Sequence, residues 1–178
     1  MRRCLLALLA GAFLSSAAAL TVGTAHAGKA PAVAAPAHDP QTQPAARACR
    51  MPARYRRAFE RAAQASGLPV AMLVAVGQVE SRLEQAARSP AGAQGVLQVL
   101  PSTATQLGLD PSQAASNVVA GALYLRQLLE RFGSIDLALA AYNAGPSAVE
   151  SAGGAPTGET LTYVANVTAR WRSLLRCR

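Results

Sequence analysis

Pro69-Val70-Ala71-Met72-Leu73-Val74-Ala75-Val76-Gly77-Gln78-Val79-Glu80-Ser81 is the stretch on which the fold turns. Between Val70 and Val79 every residue except Gly77 and Gln78 is aliphatic or Met, which predicts a helix buried on nearly all sides. A carboxylate closes it. Desolvation by apolar neighbours and the negative end of the helix dipole both disfavour the Glu80 anion, so both favour a carboxyl that holds its proton near neutral pH. A general acid needs that property, because it must keep the proton until a leaving oxygen takes it. The plainer reading is a surface glutamate at a frayed helix end, and the segment that follows weighs against it.

Outward from this helix the periodicity stays helical. Tyr55, Phe59 and Ala62-Ala63 recur at helical spacing after Pro52, with arginines on the other face and Gly67 as the stop. Pro69 suits a first-turn position of the buried helix, and Arg82-Leu83-Glu84 begins a loop. The run from Ser89-Pro90 to Thr103-Ala104 is a Gly-punctuated crossing with one glutamine, Gln98, inside an apolar stripe. Pro101 opens a short helix through Leu107, stopped by Gly108. Asn117 to Phe132 reads as the longest amphipathic helix before the end, closed at Gly133; Ile135 to Ala144 is a nearly apolar helix broken by Gly145-Pro146; Thr160 to Arg176 is the last. No segment alternates with a period of two, so the expected fold class is all-α.

The residue inventory limits the chemistry. Both histidines, His26 and His38, and the single lysine, Lys29, precede residue 49, so residues 49–178 hold no imidazole and no amine. Ser-His and Cys-His pairs, Ser-Lys dyads and His-containing zinc sites are excluded. Carboxylates, tyrosines and amides remain. An ordinary glycosidase sets two carboxyl groups about 5 Å apart or more across a sugar bond. Glu84 is the nearby partner to consider. Four residues on, it would lie beside Glu80 on one side of a helix, not across a cleft, and a surface role suits it better.

The order of short blocks carries a resemblance. Glu80-Ser81, the crossing Ser89-Pro90-Ala91-Gly92-Ala93-Gln94-Gly95-Val96-Leu97-Gln98, Pro101-Ser102-Thr103-Ala104, Asn117, Gly121, Tyr124-Leu125 and Ala140-Ala141-Tyr142-Asn143-Ala144-Gly145-Pro146 resemble the catalytic domain of the soluble lytic transglycosylases from about Leu68 to Val167. The resemblance implies a lysozyme-like fold of the goose-type lysozyme and lytic transglycosylase kind, and cleavage of peptidoglycan glycan strands without metal or cofactor. It casts Glu80 as the single acid and base: the carboxyl protonates the bond oxygen after N-acetylmuramic acid, then takes a proton from that sugar's own C6 hydroxyl, leaving a 1,6-anhydro end. An intramolecular nucleophile explains how one carboxyl could suffice.

The same resemblance puts Ser81, Ser89, Gln98, Tyr142, Asn143 and Tyr163 in the substrate-binding set. On their own chemistry, Ser89 also reads as a turn residue before Pro90, and Gln98 must hydrogen-bond either substrate or local backbone. Tyr142 and Tyr163 would offer a sugar an apolar face and a hydroxyl, whereas Tyr124 reads as a core tyrosine. Glu84 departs from the Asn-like residue that the family usually has near this point, and Leu97 and Leu100 stand where relatives often have Met. A lysozyme-like hydrolase and a non-catalytic wall-binding module are the alternatives.

The ends of the chain read differently from its middle. Arg2-Arg3, an apolar run from Leu5 to Leu20 and Ala25-His26-Ala27 form the three-part pattern of a secretory signal, so residues 1–27 are expected to be cleaved near Ala27, with no stable membrane insertion afterwards. Residues 28–48 are rich in Ala and Pro and read as a linker, leaving 49–178 as the catalytic domain. The formal charge of +8 falls by two to +6 when Arg2 and Arg3 leave. A basic exported chain in the periplasm or medium points to the acidic wall polymer rather than nucleic acid. A secretion or pilus apparatus that needs local wall opening is a compatible partner. In an oxidising compartment Cys49 and Cys177, which bracket the domain, are expected to pair; two free buried thiols are the alternative.

Overall fold

The computed structural model describes residues 51–175, all within one compact unit, Pro40–Arg178. The expectations for the signal segment, the linker and the Cys49–Cys177 pair fall on residues 1–50 and 176–178, outside the described residues. A 3-10 turn, Ala53–Tyr55, leads into α1 (Arg56–Ser66); α2 (Val70–Glu80), α3 (Pro101–Gln106), α4 (Ala114–Phe132), α5 (Ile135–Ala144), α6 (Pro146–Ala152) and α7 (Gly158–Leu174) follow. The described residues contain no strand, only isolated bridges pairing Arg88 with Gln94 and Gln94 with Val99. The all-α expectation holds.

The α2 helix sits where its composition requires. Ala71 to Gly77 are all buried, and Leu73, Val74 and Ala75 are fully so. Burying a Leu or Val side chain is worth roughly 1.5–3 kcal/mol, so this helix anchors the core. It packs against α1 on one side and α7 on another, while α4 packs on α1 and α5 bridges α4 to α7. On α1 the buried Ala58, Phe59 and Ala62 face inward, and Arg56, Arg57 and Arg61 face water. Pro69 stands one position earlier than expected: it is the extended residue just before α2 rather than part of its first turn.

Two helices differ from the sequence reading. The α4 helix starts at Ala114, a turn before Asn117, because its first residues follow Gln113, which makes no side-chain cap to mark the start. The α6 helix was not expected. Gly145 breaks α5, but Pro146 then opens a new helix at its first position, where the missing N–H costs nothing. The last helix begins two residues early, since the Thr157 hydroxyl accepts a hydrogen bond from the Thr160 backbone N–H and caps it.

Candidate active site

Glu80 is the last residue of α2, and the chain leaves it abruptly. Arg82 and Leu83 both take left-handed backbone conformations, φ 56° and 65°. Such conformations cost about 1–2 kcal/mol each for residues with a side chain and persist only where the surroundings hold them. Here the Leu83 side chain is buried and its N–H donates to the Gly77 carbonyl, as does that of Ser81. The Ser81 hydroxyl donates to the Val96 carbonyl at 2.7 Å and accepts from the Glu84 N–H, tying the helix end to the crossing. Glu84 itself is exposed. Because the helix stops at Glu80, the helical side-by-side placement considered for the two carboxyls does not occur.

Opposite α2, α7 delivers Tyr163. Its hydroxyl donates to Glu80 Oε1 at 2.6 Å, and its ring is buried. Burial pushes the Glu80 carboxyl up to about 7, and the Tyr163 hydrogen bond, which favours the anion, holds it from going higher. The same contact raises the Tyr163 hydroxyl well above its usual value, through burial first, then the Glu80 charge and the hydrogen bond. Tyr163 therefore stays a donor at any physiological pH. Every other acid among the described residues, Glu60, Glu84, Asp110, Glu130, Asp136, Glu150 and Glu159, is exposed. Among the described residues, Glu80 alone has the environment of a proton-holding acid.

The third wall is the crossing from Gln94 to Leu100, and one residue that the sequence reading used only as a pattern position organises it. Asn117 on α4 is fully buried. Its Oδ1 accepts from the Leu97 N–H at 2.8 Å, and its Nδ2 donates to the carbonyls of Gln94 at 2.8 Å and Pro111 at 3.3 Å. The amide thus adds to the crossing's own backbone pairs, in which Gln94 and Val99 exchange both hydrogen bonds, and ties them to α4. Gly95, at φ 79°, passes so close that a Cβ there would lie 2.5 Å from Asn117 Nδ2. Tyr142, at the end of α5, donates its hydroxyl to the Leu97 carbonyl at 2.7 Å. Leu97 is held at both its N–H and its C=O. On α4, Gly121 permits this approach, since a Cβ would meet Leu97 Cβ at 2.6 Å and Tyr142 Oη at 2.8 Å. Tyr124 is half-buried, with its ring centroid 5.5 Å from that of Tyr142.

The site residues named from sequence therefore separate by role. Glu80, Tyr163 and Tyr142 converge: the Glu80 charge acts on both tyrosines and raises both hydroxyls, after burial. Gln98, at φ 45°, donates from Nε2 to the carbonyls of Gly95 at 2.9 Å and Ala87 at 3.2 Å, which selects the local-backbone option for its amide hydrogens. The Ser89 hydroxyl accepts from the Ala93 N–H at 3.0 Å, as a turn residue does. Asn143 is exposed beside Tyr142. Leu97 is buried in the core, so of the two leucines only Leu100, 40% exposed, offers an apolar surface. The signal for Asn117 was legible as an amide ahead of Val118-Val119 on a core-facing stripe. The left-handed pair Arg82-Leu83 carried no signal, because neither residue type favours that conformation.

Tyr163→Phe follows directly from this geometry. Loss of a hydrogen bond to the carboxylate raises the Glu80 pKa from its value of about 7, so the acid form persists to higher pH. The alkaline limb of a pH–activity profile is expected to move upward, along with lower maximal activity. An unmoved limb would separate Tyr163 from the acid's titration.

Comparison with known proteins agrees with this architecture. Residues 57–160 match the Transglycosylase SLT domain. Membrane-bound lytic murein transglycosylase F 1 of Alkalilimnicola ehrlichii is 40% identical over 103 residues, which cover 52% of this chain and 20% of that protein. The soluble lytic murein transglycosylase of Escherichia coli K12 is 33% identical over 150 residues, covering 67% of this chain and 23% of its own. Among solved structures, an inactive Glu-to-Gln mutant of the lytic transglycosylase Slt from Pseudomonas aeruginosa superposes with a TM-score of 0.61 at 29% identity, over 72% of this chain and 26% of that one. The likeness gives the fold as lysozyme-like. The chain spans about a fifth to a quarter of the length of these proteins. With more than half of its length matched, from α1 to the start of α7, the chain belongs to the transglycosylase SLT domain family.

Proposed function

We propose that the chain is a peptidoglycan lytic transglycosylase in which Glu80 acts first as acid and then as base. The observation that carries this reading is the half-buried Glu80 carboxyl, raised to about 7 by desolvation and addressed by the Tyr163 hydroxyl, in a domain whose other described acids all face water. In the first step the Glu80 proton passes to the glycosidic oxygen between N-acetylmuramic acid and N-acetylglucosamine, and the bond from that oxygen to the muramyl C1 breaks. In the second, the Glu80 carboxylate takes the proton of the same muramyl residue's C6 hydroxyl as O6 bonds to C1. The products are a free 4-hydroxyl on one fragment and a 1,6-anhydro ring on the other; no water is consumed, and Glu80 ends protonated. A carboxyl poised near 7 serves both directions, because neither transfer is strongly uphill near neutral pH.

Tyr142, Asn143 and Tyr163 are proposed to face the glycan, with Ser81, Ser89 and Gln98 shaping the wall behind it through the backbone contacts described above. The test is mass spectrometry of wall digested by the protein. Muropeptides ending in the anhydro ring are expected. Free reducing ends would replace this reading with a hydrolase, and no products would replace it with a wall-binding module.

Export, cleavage near Ala27, action in the periplasm and a disulfide between Cys49 and Cys177 are proposed on the sequence pattern. The bond would close a loop of more than a hundred residues, worth up to about 5 kcal/mol in the chain-entropy account. Reduction of the oxidised protein is expected to lower its melting temperature without abolishing lysis, since the helical core does not depend on the bond. Two free thiols on titration of exported protein would remove the pair.

A further inference from the structure

One exposed face of α1 carries a row of arginines. Arg54 in the opening 3-10 turn, then Arg57 and Arg61 on the helix, follow at steps of three and four, so they stack on one side over about 10 Å of axis. All three are exposed. The other side of the same segment, Tyr55, Ala58, Phe59 and Ala62, is buried, and α1 packs on α4 and α2. Tyr142 and Tyr163 stand on α5 and α7, so the row is no part of the cleft wall described above. The mechanism makes no use of it.

The row is short of counter-charge. Between Ala53 and Ser66 stand four arginines and one acid, Glu60, which follows Arg56 by four residues and Arg57 by three. Arg57 and Arg61 have no ion-pair partner among the described residues, where the two ion pairs are Arg126–Glu130 and Arg131–Glu150. Arg54 is held differently: its guanidinium lies 4.6 Å from the Tyr55 ring centroid and feels the Glu84 charge. In sequence, Arg47 and Arg50 come just before it. Cations within about 8–10 Å of one another are poorly screened at physiological salt, so the row acts on an anionic partner as one site. A guanidinium also matches a phosphate with two parallel hydrogen bonds. On the outer side of a helix rather than in a cleft, the row suits a flat array of phosphates better than a strand that has to be enclosed.

We propose that the face of α1 bearing Arg54, Arg57 and Arg61 docks the protein on an anionic phospholipid surface, reversibly and without insertion. On the export expected from the sequence, the chain emerges at a bilayer face, where lipid headgroups are the first phosphates it meets. The exposed large apolar side chains, Leu100, Leu161 and Leu175, lie on other elements, so the attachment is electrostatic and weakens as salt rises. Each arginine near such a surface strengthens binding about fivefold, and three together about a hundredfold. The docking concerns where the protein works and does not depend on the chemistry of Glu80.

The test is vesicle co-sedimentation with protein spanning residues 28–178, so that the apolar leader plays no part. Vesicles of phosphatidylcholine alone are compared with vesicles of phosphatidylcholine mixed with phosphatidylglycerol. Binding about a hundredfold tighter to the anionic vesicles is expected, and Arg57→Gln with Arg61→Gln should weaken it about twenty-fivefold with no change in melting temperature. Arg170→Gln with Arg172→Gln removes the same charge from exposed positions on α7 and should keep most of the binding. Equal binding to the two kinds of vesicle, binding to neither, full binding by the α1 variant, or equal losses in the two variants would overturn the docking face. Binding to soluble polyphosphate but not to the vesicles would assign the row to a polyanion in solution and overturn it as well.

Discussion

Glu80→Gln is expected to lower peptidoglycan lysis by roughly a hundred- to ten-thousandfold, the range that a positioned general acid supplies. The amide keeps the shape of the carboxyl and can still accept from Tyr163, but it has no proton to give. A second outcome separates this from simple misfolding. The folded chain holds the Glu80 proton to about pH 7, whereas the unfolded chain releases it near 4.5. Between those values the folded state binds more protons, so the wild-type protein loses stability as pH rises, by about 3 kcal/mol in all. The Gln variant carries no such penalty. It should melt with the wild type at pH 4 and above it at pH 8, so the inactive protein is the more stable one under the conditions of the assay. Calorimetry at the two pH values checks the pattern, and a Gln variant of near-normal activity would remove Glu80 from the mechanism. Glu84→Gln is the matched control: Glu84 is exposed, and most activity should remain.

Asn117→Leu is expected to be the most damaging substitution away from the acid. The side chain is fully buried and satisfies the Leu97 N–H and the Gln94 carbonyl, with a longer contact to Pro111. An apolar replacement of similar size fills the space but takes the partner from the Leu97 N–H and the Pro111 carbonyl, while the Gln94 carbonyl keeps the Val99 N–H, at about 1–3 kcal/mol for each buried group left unpaired. A total near 3 kcal/mol corresponds to a fall of about 10 °C in melting temperature for a domain of this size. Lysis at a temperature where the variant is still folded should fall as well, because Leu97 is also the residue to which Tyr142 is anchored. Thermal unfolding followed by circular dichroism reads the first effect. A variant that melts with the wild type would mean that the crossing is held by its own turns.

The active-site chemistry depends on two kinds of rigidity. On α2, hydrophobic burial fixes the helix and therefore the position of Glu80 along it. In the crossing, a short backbone pairing of Gln94 with Val99 is joined by hydrogen bonds from side chains on distant helices, which fix it to α4 and α5. The left-handed turn at Arg82-Leu83 joins the two, dropping the chain from the end of α2 into the crossing that packs against it.

Composition and periodicity alone determined that the domain is helical, that α2 lies in its core, and that Glu80 ends it. Those are local properties: an apolar run longer than a strand, with a carboxylate where the run stops, reads the same in any tertiary setting. Exclusion of imidazole and amine catalysis was equally secure, since it depends on which residues are present and not on where they lie. The short blocks added the family. What only the tertiary structure decided is which polar groups are already spent. Ser81, Ser89 and Gln98 share a neighbourhood with Glu80 in sequence, yet their side chains hydrogen-bond backbone groups of the crossing, while Tyr163, 83 residues away, reaches the acid itself. Asn117 and Gly121 acquire their roles from a loop some twenty residues earlier that presses against α4. A sequence lists donors and acceptors. Pairing them is a matter of distance in the folded chain, because a hydrogen bond forms only within about 3 Å and the residues that meet at that range are brought there by the packing of helices far apart in order.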